Sequence, residues 1–231
     1  TAGVRSLEQE NIRHTVGHAE MADYNRQGVY FTGDIMYDNT LHFAAVAATQ
    51  AGSITAKYAL PKTFILLTMH RPSNVDSEAT LKDIFTGVRT IALTHGKKIV
   101  FPVHPRTRSI IESNETLKQL VQSFPIQLIP PVSFIEMIHL ENTASLVITD
   151  SGGVQKEAYF LEKPCIIMLD ETPWTELVES GMAILVGNSG ERIVQAYDRL
   201  TAQPLSFDKT LYGDGKASSF IVSRILEHLN P

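Results

Sequence analysis

The stretch Asp150-Ser151-Gly152-Gly153-Val154-Gln155-Lys156-Glu157 has the residue types best suited to hold an anion. Glycines let backbone come close to a ligand, a serine hydroxyl adds a donor, and the free N–H groups at the start of a helix attract negatively charged oxygens. A phosphate meets that description. Further along the same helix, Glu157 could accept hydrogen bonds from two neighbouring hydroxyls, as carboxylates do in ribose recognition. The competing reading makes Ser151 an N-cap and Gly152 and Gly153 a tight turn.

Three other loops favour the ligand. His70-Arg71-Pro72-Ser73-Asn74 and His104-Pro105-Arg106-Thr107-Arg108 are cationic and stiffened by proline, and Pro130-Pro131-Val132-Ser133-Phe134 offers an aromatic ring. Beside Arg71 and a phosphate-type loop, His70 suits phosphate contact or proton transfer. Arg106 and Arg108 open a helix, where a cation opposes the dipole, so another duty is expected of them. His104 either faces the site or is buried and satisfied by backbone. His14 and His18 are four apart, but with no Glu between them and no third ligand no metal is expected. The chain has no Walker A loop, no Gly-x-Gly-x-x-Gly fingerprint and no nucleophile elbow.

These loops gain meaning from the elements that carry them. Short apolar runs alternate with helical patterns: Thr63 to Met69, then Ser77 to Thr94; Lys98 to Val103, then Arg106 to Ser123; Ile126 to Ile129, then Phe134 to Asn142. The alternation continues through Ser145 to Thr149, Gly153 to Glu162, Cys165 to Leu169, Thr175 to Ser180, Ala183 to Val186 and Glu191 to Thr201. Unbroken apolar strands such as Phe64-Ile65-Leu66-Leu67 suit a sheet covered on both faces, and strands separated by helices need crossover connections. The expected fold is α/β, a doubly wound parallel sheet, with ligand beyond the carboxyl ends of its strands. Val29 to Thr32 reads as a further strand, Asp34 to Ala51 as a long helix, and Ser218 to Leu229 as an amphipathic one.

Composition excludes several classes. With 231 residues, 43% hydrophobic, 19% charged and a formal net charge of -5, the chain has the balance of a soluble globular protein and no basic block. Neither a nucleic-acid nor a membrane partner is expected. The single cysteine, Cys165, allows no internal disulfide and reads as a core residue. Its apolar runs fall far short of the roughly twenty residues a membrane span requires, and no signal-peptide pattern opens the chain, so a cytoplasmic setting is the expectation.

Taken together and in order, Thr68-Met69-His70-Arg71-Pro72-Ser73-Asn74, Pro131-Val132-Ser133-Phe134, Asp150 to Glu157 and Asp170-Glu171-Thr172-Pro173-Trp174 resemble the non-hydrolysing UDP-N-acetylglucosamine 2-epimerases. The resemblance runs from about Val29 to near the C-terminus. It implies the C-terminal half of a two-domain, glycosyltransferase-type fold of Rossmann-like domains, with UDP-GlcNAc or UDP as ligand, a homodimer as assembly and no cofactor. Ser151, Gly152 and Gly153 would bind the diphosphate, Glu157 the ribose hydroxyls, and Ser133 and Phe134 the uracil. Arg71, Asn74 and Arg106 would join them in binding substrate, and His70 and Arg13 would be catalytic. The implied reaction eliminates UDP to a glycal-like intermediate and re-adds it with C2 inverted.

The chain also departs from the family pattern. Thr1 and Gln9 stand where acidic residues are expected, the segment between His18 and Val29 is short by about a strand and a helix, and Leu169 replaces a usual arginine. Residues 1–52 are therefore expected to be a remnant of the N-terminal domain with the interdomain helix, and 53–231 the UDP-binding domain. A truncated or incompletely observed enzyme is the favoured account. A UDP-sugar-binding module without catalysis, a glycosyltransferase and a hydrolysing epimerase are the alternatives.

Overall fold

The computed structural model describes residues 30–208 and 210–229. Two helices, α1 (Ile35–Thr49) and α2 (Ala51–Tyr58), precede a six-stranded parallel sheet. Its strands are β1 (Ile65–Thr68), β2 (Ile99–Pro102), β3 (Ile126–Ile129), β4 (Leu146–Thr149), β5 (Cys165–Ile167) and β6 (Ala183–Leu185). Parallel neighbours cannot be joined by a tight hairpin, so each connection carries helix. After β1 come α3 (Pro72–Val75) and α4 (Glu78–Thr94), after β2 come α5 (Pro105–Ser113) and α6 (Glu115–Gln122), and after β3 comes α7 (Phe134–Thr143). Then α8 (Gly152–Phe160) follows β4, α9 (Thr175–Glu179) follows β5, and α10 (Gly190–Thr201) follows β6, with α11 (Ala217–Leu229) last.

The strands lie in the order β3-β2-β1-β4-β5-β6, so the winding reverses between β1 and β4. A crevice opens at such a reversal, because the two adjoining strands send their loops to opposite sides. The register aligns Thr68 with Thr149 at the carboxyl ends of this pair. Ile65, Leu66 and Leu67 of β1 have no exposed surface, as expected for a central strand covered on both faces. Phe85 of α4 packs on Phe101 of β2 with ring centroids 6.3 Å apart. The expected doubly wound parallel sheet is the observed one.

Locally, three expectations change. Tyr30 to Thr32 form no strand, and Phe31 is 45% exposed; aromatic and β-branched residues make a strand only where a neighbour takes their backbone hydrogen bonds. The single helix expected from Arg106 to Ser123 is two, because Asn114 adopts an extended conformation and its side chain accepts the Leu117 N–H at 3.0 Å, capping a new start. The helix read from Asp34 to Ala51 ends at Thr49 and is followed directly by α2.

Phe43–Phe207 forms one compact unit holding the whole sheet. The described residues up to His42, together with those from Asp208 onward, form a second. The boundary expected after residue 52 falls inside α2, a helix of the sheet-bearing unit. In the smaller unit the Asp38 carboxylate caps the start of α11, accepting the backbone N–H groups of Ala217 and Ser218 at 3.0 and 2.7 Å. No described helix is long and apolar enough to cross a membrane.

Candidate functional site

At the reversal, the side chain of Asp150 organises the loop that leaves β1. Asp150 is fully buried, and its Oδ2 accepts the N–H groups of His70 at 3.0 Å and Arg71 at 2.8 Å, and the Asn74 Nδ2 at 3.0 Å. The His70 ring turns back onto the same carboxylate, with Nδ1 3.1 Å from Oδ1. Arg71 Nε donates to the Asp150 carbonyl at 2.9 Å. Beneath them the hydroxyls of Thr68 and Thr149 meet at 2.6 Å, and Thr149 Oγ1 accepts the Ser151 N–H. A buried carboxylate surrounded by donors is well compensated, so charge-assisted hydrogen bonds hold the loop.

Placement separates the residues of the His70 loop. His70 and Arg71 are exposed, whereas Asn74 is 1% exposed and spends its amide on Asp150 and the Met168 carbonyl. With Nδ1 engaged by a carboxylate, Nε2 is the ring nitrogen left to face a ligand. Arg106 Nη2 pairs with Asp76 at 2.7 Å and so ties the loops after β1 and β2 together. His104 is exposed, and its Nδ1 caps α5 by accepting the Arg106 N–H at 3.3 Å.

Across the crevice, α8 begins at Gly152 with Ser151 in the N-cap position but making no side-chain cap hydrogen bond. The N–H groups of the first turn therefore have no intrahelical acceptor. Neither Gly152 nor Gly153 has a positive φ. A Cβ on Gly153 would meet nothing within 4 Å, and one on Gly152 only the Trp174 Nε1 at 3.7 Å. Ser151 is thus the N-cap by position without a side-chain bond, and the backbone makes no use of either glycine's conformational freedom. Trp174 Nε1 donates to the Gly152 carbonyl at 3.0 Å, and the Lys156 ammonium lies 4.2 Å from the centre of the Trp174 ring. Thr172 Oγ1 adds a bond to Gln155 Oε1 at 2.7 Å. Together these fasten the Asp170-to-Trp174 loop to the first turns of α8.

Ser133 and Phe134 open α7. Ser133 and Glu136 form a reciprocal capping box, and Glu136 Oε1 also accepts from Lys57 Nζ at 2.6 Å and the Tyr58 hydroxyl at 3.0 Å. The Lys57 ammonium foremost holds the Glu136 carboxyl down at about 2, and Lys57 is itself raised to about 12 by that bond. Phe134 is 43% exposed and meets Phe43 edge-on, with centroids 5.2 Å apart. Glu157 of α8 is half-buried, and burial raises its pKa. Among the described residues no group of three or more His, Cys, Asp or Glu could hold a metal ion. Cys165 is 2% exposed, and burial raises its thiol pKa.

Residues 4–226 match the family described as UDP-N-acetylglucosamine 2-epimerase. The chain belongs to that family. It is 36% identical over 210 residues to a UDP-N-acetylglucosamine 2-epimerase homolog of Methanococcus maripaludis, covering 88% of this chain and 57% of the relative. With the UDP-2,3-diacetamido-2,3-dideoxy-D-glucuronate 2-epimerase of Pseudomonas aeruginosa the identity is 41%, over 85% of this chain and 51% of the relative. The structure of the Methanocaldococcus jannaschii UDP-GlcNAc 2-epimerase in complex with UDP-GlcNAc and UDP superposes with a TM-score of 0.75 at 35% identity, covering 86% of this chain and 55% of that one. The chain thus spans about half the length of the curated relatives it matches.

Within this epimerase-family chain, one crevice gathers His70 and Arg71 from the β1 loop with Ser151, Gly152 and Gly153 from the β4 loop, through Asp150. Asn74 is drawn beneath it and Arg106 is engaged at its edge. Arg13 lies outside the described residues. Sequence reasoning assigned Asp150 and Trp174 no role, although both stand inside the quoted motifs. An aspartate directly before a phosphate-type loop and directly after a fully apolar strand was the available signal, because a carboxylate there is buried and must gather donors.

Proposed function

We propose that the chain is the UDP-binding part of an enzyme that interconverts UDP-GlcNAc and UDP-ManNAc. In the reaction a base removes the C2 proton, the C1–O bond to the diphosphate breaks and UDP departs; the proton then returns to the other face of C2 and UDP adds back at C1. No electron is gained or lost overall. The observation that carries the reading is the uncapped start of α8, with two glycines in open space, beside the His70 and Arg71 loop held by Asp150.

Each part of this site has a task. The first-turn N–H groups of α8 and the Ser151 hydroxyl receive diphosphate oxygens, and Arg71 adds charge. Glu157 accepts from the ribose hydroxyls, and Phe134 with Ser133 meets the uracil. His70 Nε2 donates to the diphosphate and stabilises the charge that grows as UDP leaves. Relatives named for two different sugars share the UDP, which is the portion this chain reads.

The test is calorimetry with UDP, with and without chelator, on the chain and on Gly153→Val. Binding independent of divalent metal is expected, weakened at least about tenfold in the variant, or about 1.4 kcal/mol. No heat at millimolar UDP, or binding only with metal, would overturn the reading.

A further inference from the structure

Glu141 sits on α7 with no exposed surface, and among the described residues no hydrogen-bond donor meets either of its carboxylate oxygens. An isolated buried carboxylate is costly, and nothing in the diphosphate site uses this one. α7 packs on α8, whose Glu157 carboxyl interacts with Glu141, and Glu141 in turn acts on the buried Cys165 thiol of β5.

Two ionised carboxylates offer each other acceptors only, so as a pair of anions they repel and leave both unsatisfied. With a single proton between them, one becomes an O–H donor to the other and the burial is compensated. Glu141 is the deeper of the two, and its pKa lies well above the usual carboxylate range because of burial first and the neighbouring Glu157 second. Glu157 is raised by burial, and a hydrogen bond accepted from a protonated Glu141 acts in the opposite direction, favouring its charge. Both carboxyls are raised, and the fully buried Glu141, raised further than the half-buried Glu157, is the one that keeps the proton.

We infer that Glu141 is a positioning residue for Glu157: buried and protonated, it donates to one side of the Glu157 carboxylate and turns the remaining lone pairs toward the vicinal hydroxyls of a bound nucleotide's ribose. This rests on the reading of Glu157 as the ribose contact and extends it. A carboxylate held at one edge by a neutral acid keeps its charge and its orientation, whereas an untethered one would rotate or take up the proton itself. The arrangement selects ribonucleotide over 2′-deoxyribonucleotide, because a site built to bond a hydroxyl is left with an unpaired acceptor when the hydroxyl is missing.

The experiment measures equilibrium binding of UDP and 2′-deoxy-UDP to the wild type, Glu141→Gln and Glu141→Met, with thermal melts to establish that each is folded. The wild type should prefer UDP by at least about tenfold. Glu141→Gln, whose amide still donates, should keep that ratio within about twofold, while Glu141→Met should bring it to about threefold or less with 2′-deoxy-UDP affinity unchanged. Infrared spectra of the ligand-free protein at neutral pH should carry a protonated-carboxyl band that Glu141→Gln removes, since exposed carboxyls are ionised there. An unchanged ratio in Glu141→Met, or no band lost in Glu141→Gln, overturns the role of Glu141 while leaving the UDP site standing. Failure of the wild type to bind UDP overturns both.

Discussion

The buried carboxylate of Asp150 holds His70 twice, by the backbone N–H at 3.0 Å and by the ring Nδ1 at 3.1 Å. The two contacts do different things. The first sets the path of the loop after β1, and the second sets which ring nitrogen faces the crevice. A histidine presented in this way suits donation to a departing diphosphate.

Turnover and binding should therefore separate at His70. In a protein carrying both domains, His70→Asn is expected to lower kcat by roughly a hundredfold or more and weaken UDP affinity only several-fold, because only interactions that strengthen in the transition state accelerate the reaction. Arg71→Ala should raise KM with kcat nearly unchanged. Steady-state epimerisation beside equilibrium UDP binding decides it. A kcat within about twofold of the parent in His70→Asn, under roughly 0.5 kcal/mol of barrier, removes His70 from the chemistry.

Asp150→Asn tests the support rather than the contact. The amide would turn an NH2 toward donors of His70, Arg71 and Asn74, and each donor left unsatisfied costs about 1–3 kcal/mol. Denaturant unfolding should show a clear loss of stability and weaker UDP binding together. Stability within about 0.5 kcal/mol of the parent would mean that the loop is held by something else.

Gly87 of α4 offers a prediction of sign. A helix-interior glycine changed to alanine ordinarily gains up to about 1 kcal/mol. Here a Cβ would fall against the Gly190 carbonyl and 2.7 Å from its Cα, where the start of α10 crosses α4, and the Gly190 N–H is bound to Asp83 Oδ2 at 2.8 Å. Gly87→Ala should instead destabilise by at least about 1–3 kcal/mol through overpacking. Equal or higher stability in a urea titration would show that the two helices separate freely.

The Glu136 carboxyl is depressed to about 2 by Lys57 first of all, so its contribution is present above the ordinary 4.5 and is lost as pH falls from there through about 2. Lys57→Met should raise the Glu136 titration midpoint toward the ordinary value and reduce the loss of stability across that acid window. Carbon-detected NMR of the carboxyl reads the midpoint directly. A midpoint that does not move would leave the Ser133 and Tyr58 bonds as sufficient, and Lys57 as a bystander.

The local pattern was enough for the six strands, because a fully apolar run such as Ile65-Leu66-Leu67 has one stable place in an α/β protein, and enough for the loops at the strand ends, because their order matches a family. Local pattern failed at Tyr30 to Thr32, where strand composition forms no strand among the described residues, and at Asn114, where a cap outweighed a continuous helical stripe. The site's internal order was decided by the tertiary structure alone. Asp150 meets His70 across 80 positions of sequence and Asn74 across 76, and Glu141 and Glu157 meet only because α7 packs on α8. Sequence determines which groups are available at a strand end. Which of them is buried, and so must be given its donors or its proton, depends on which strands become neighbours, and that is a property of the folded sheet.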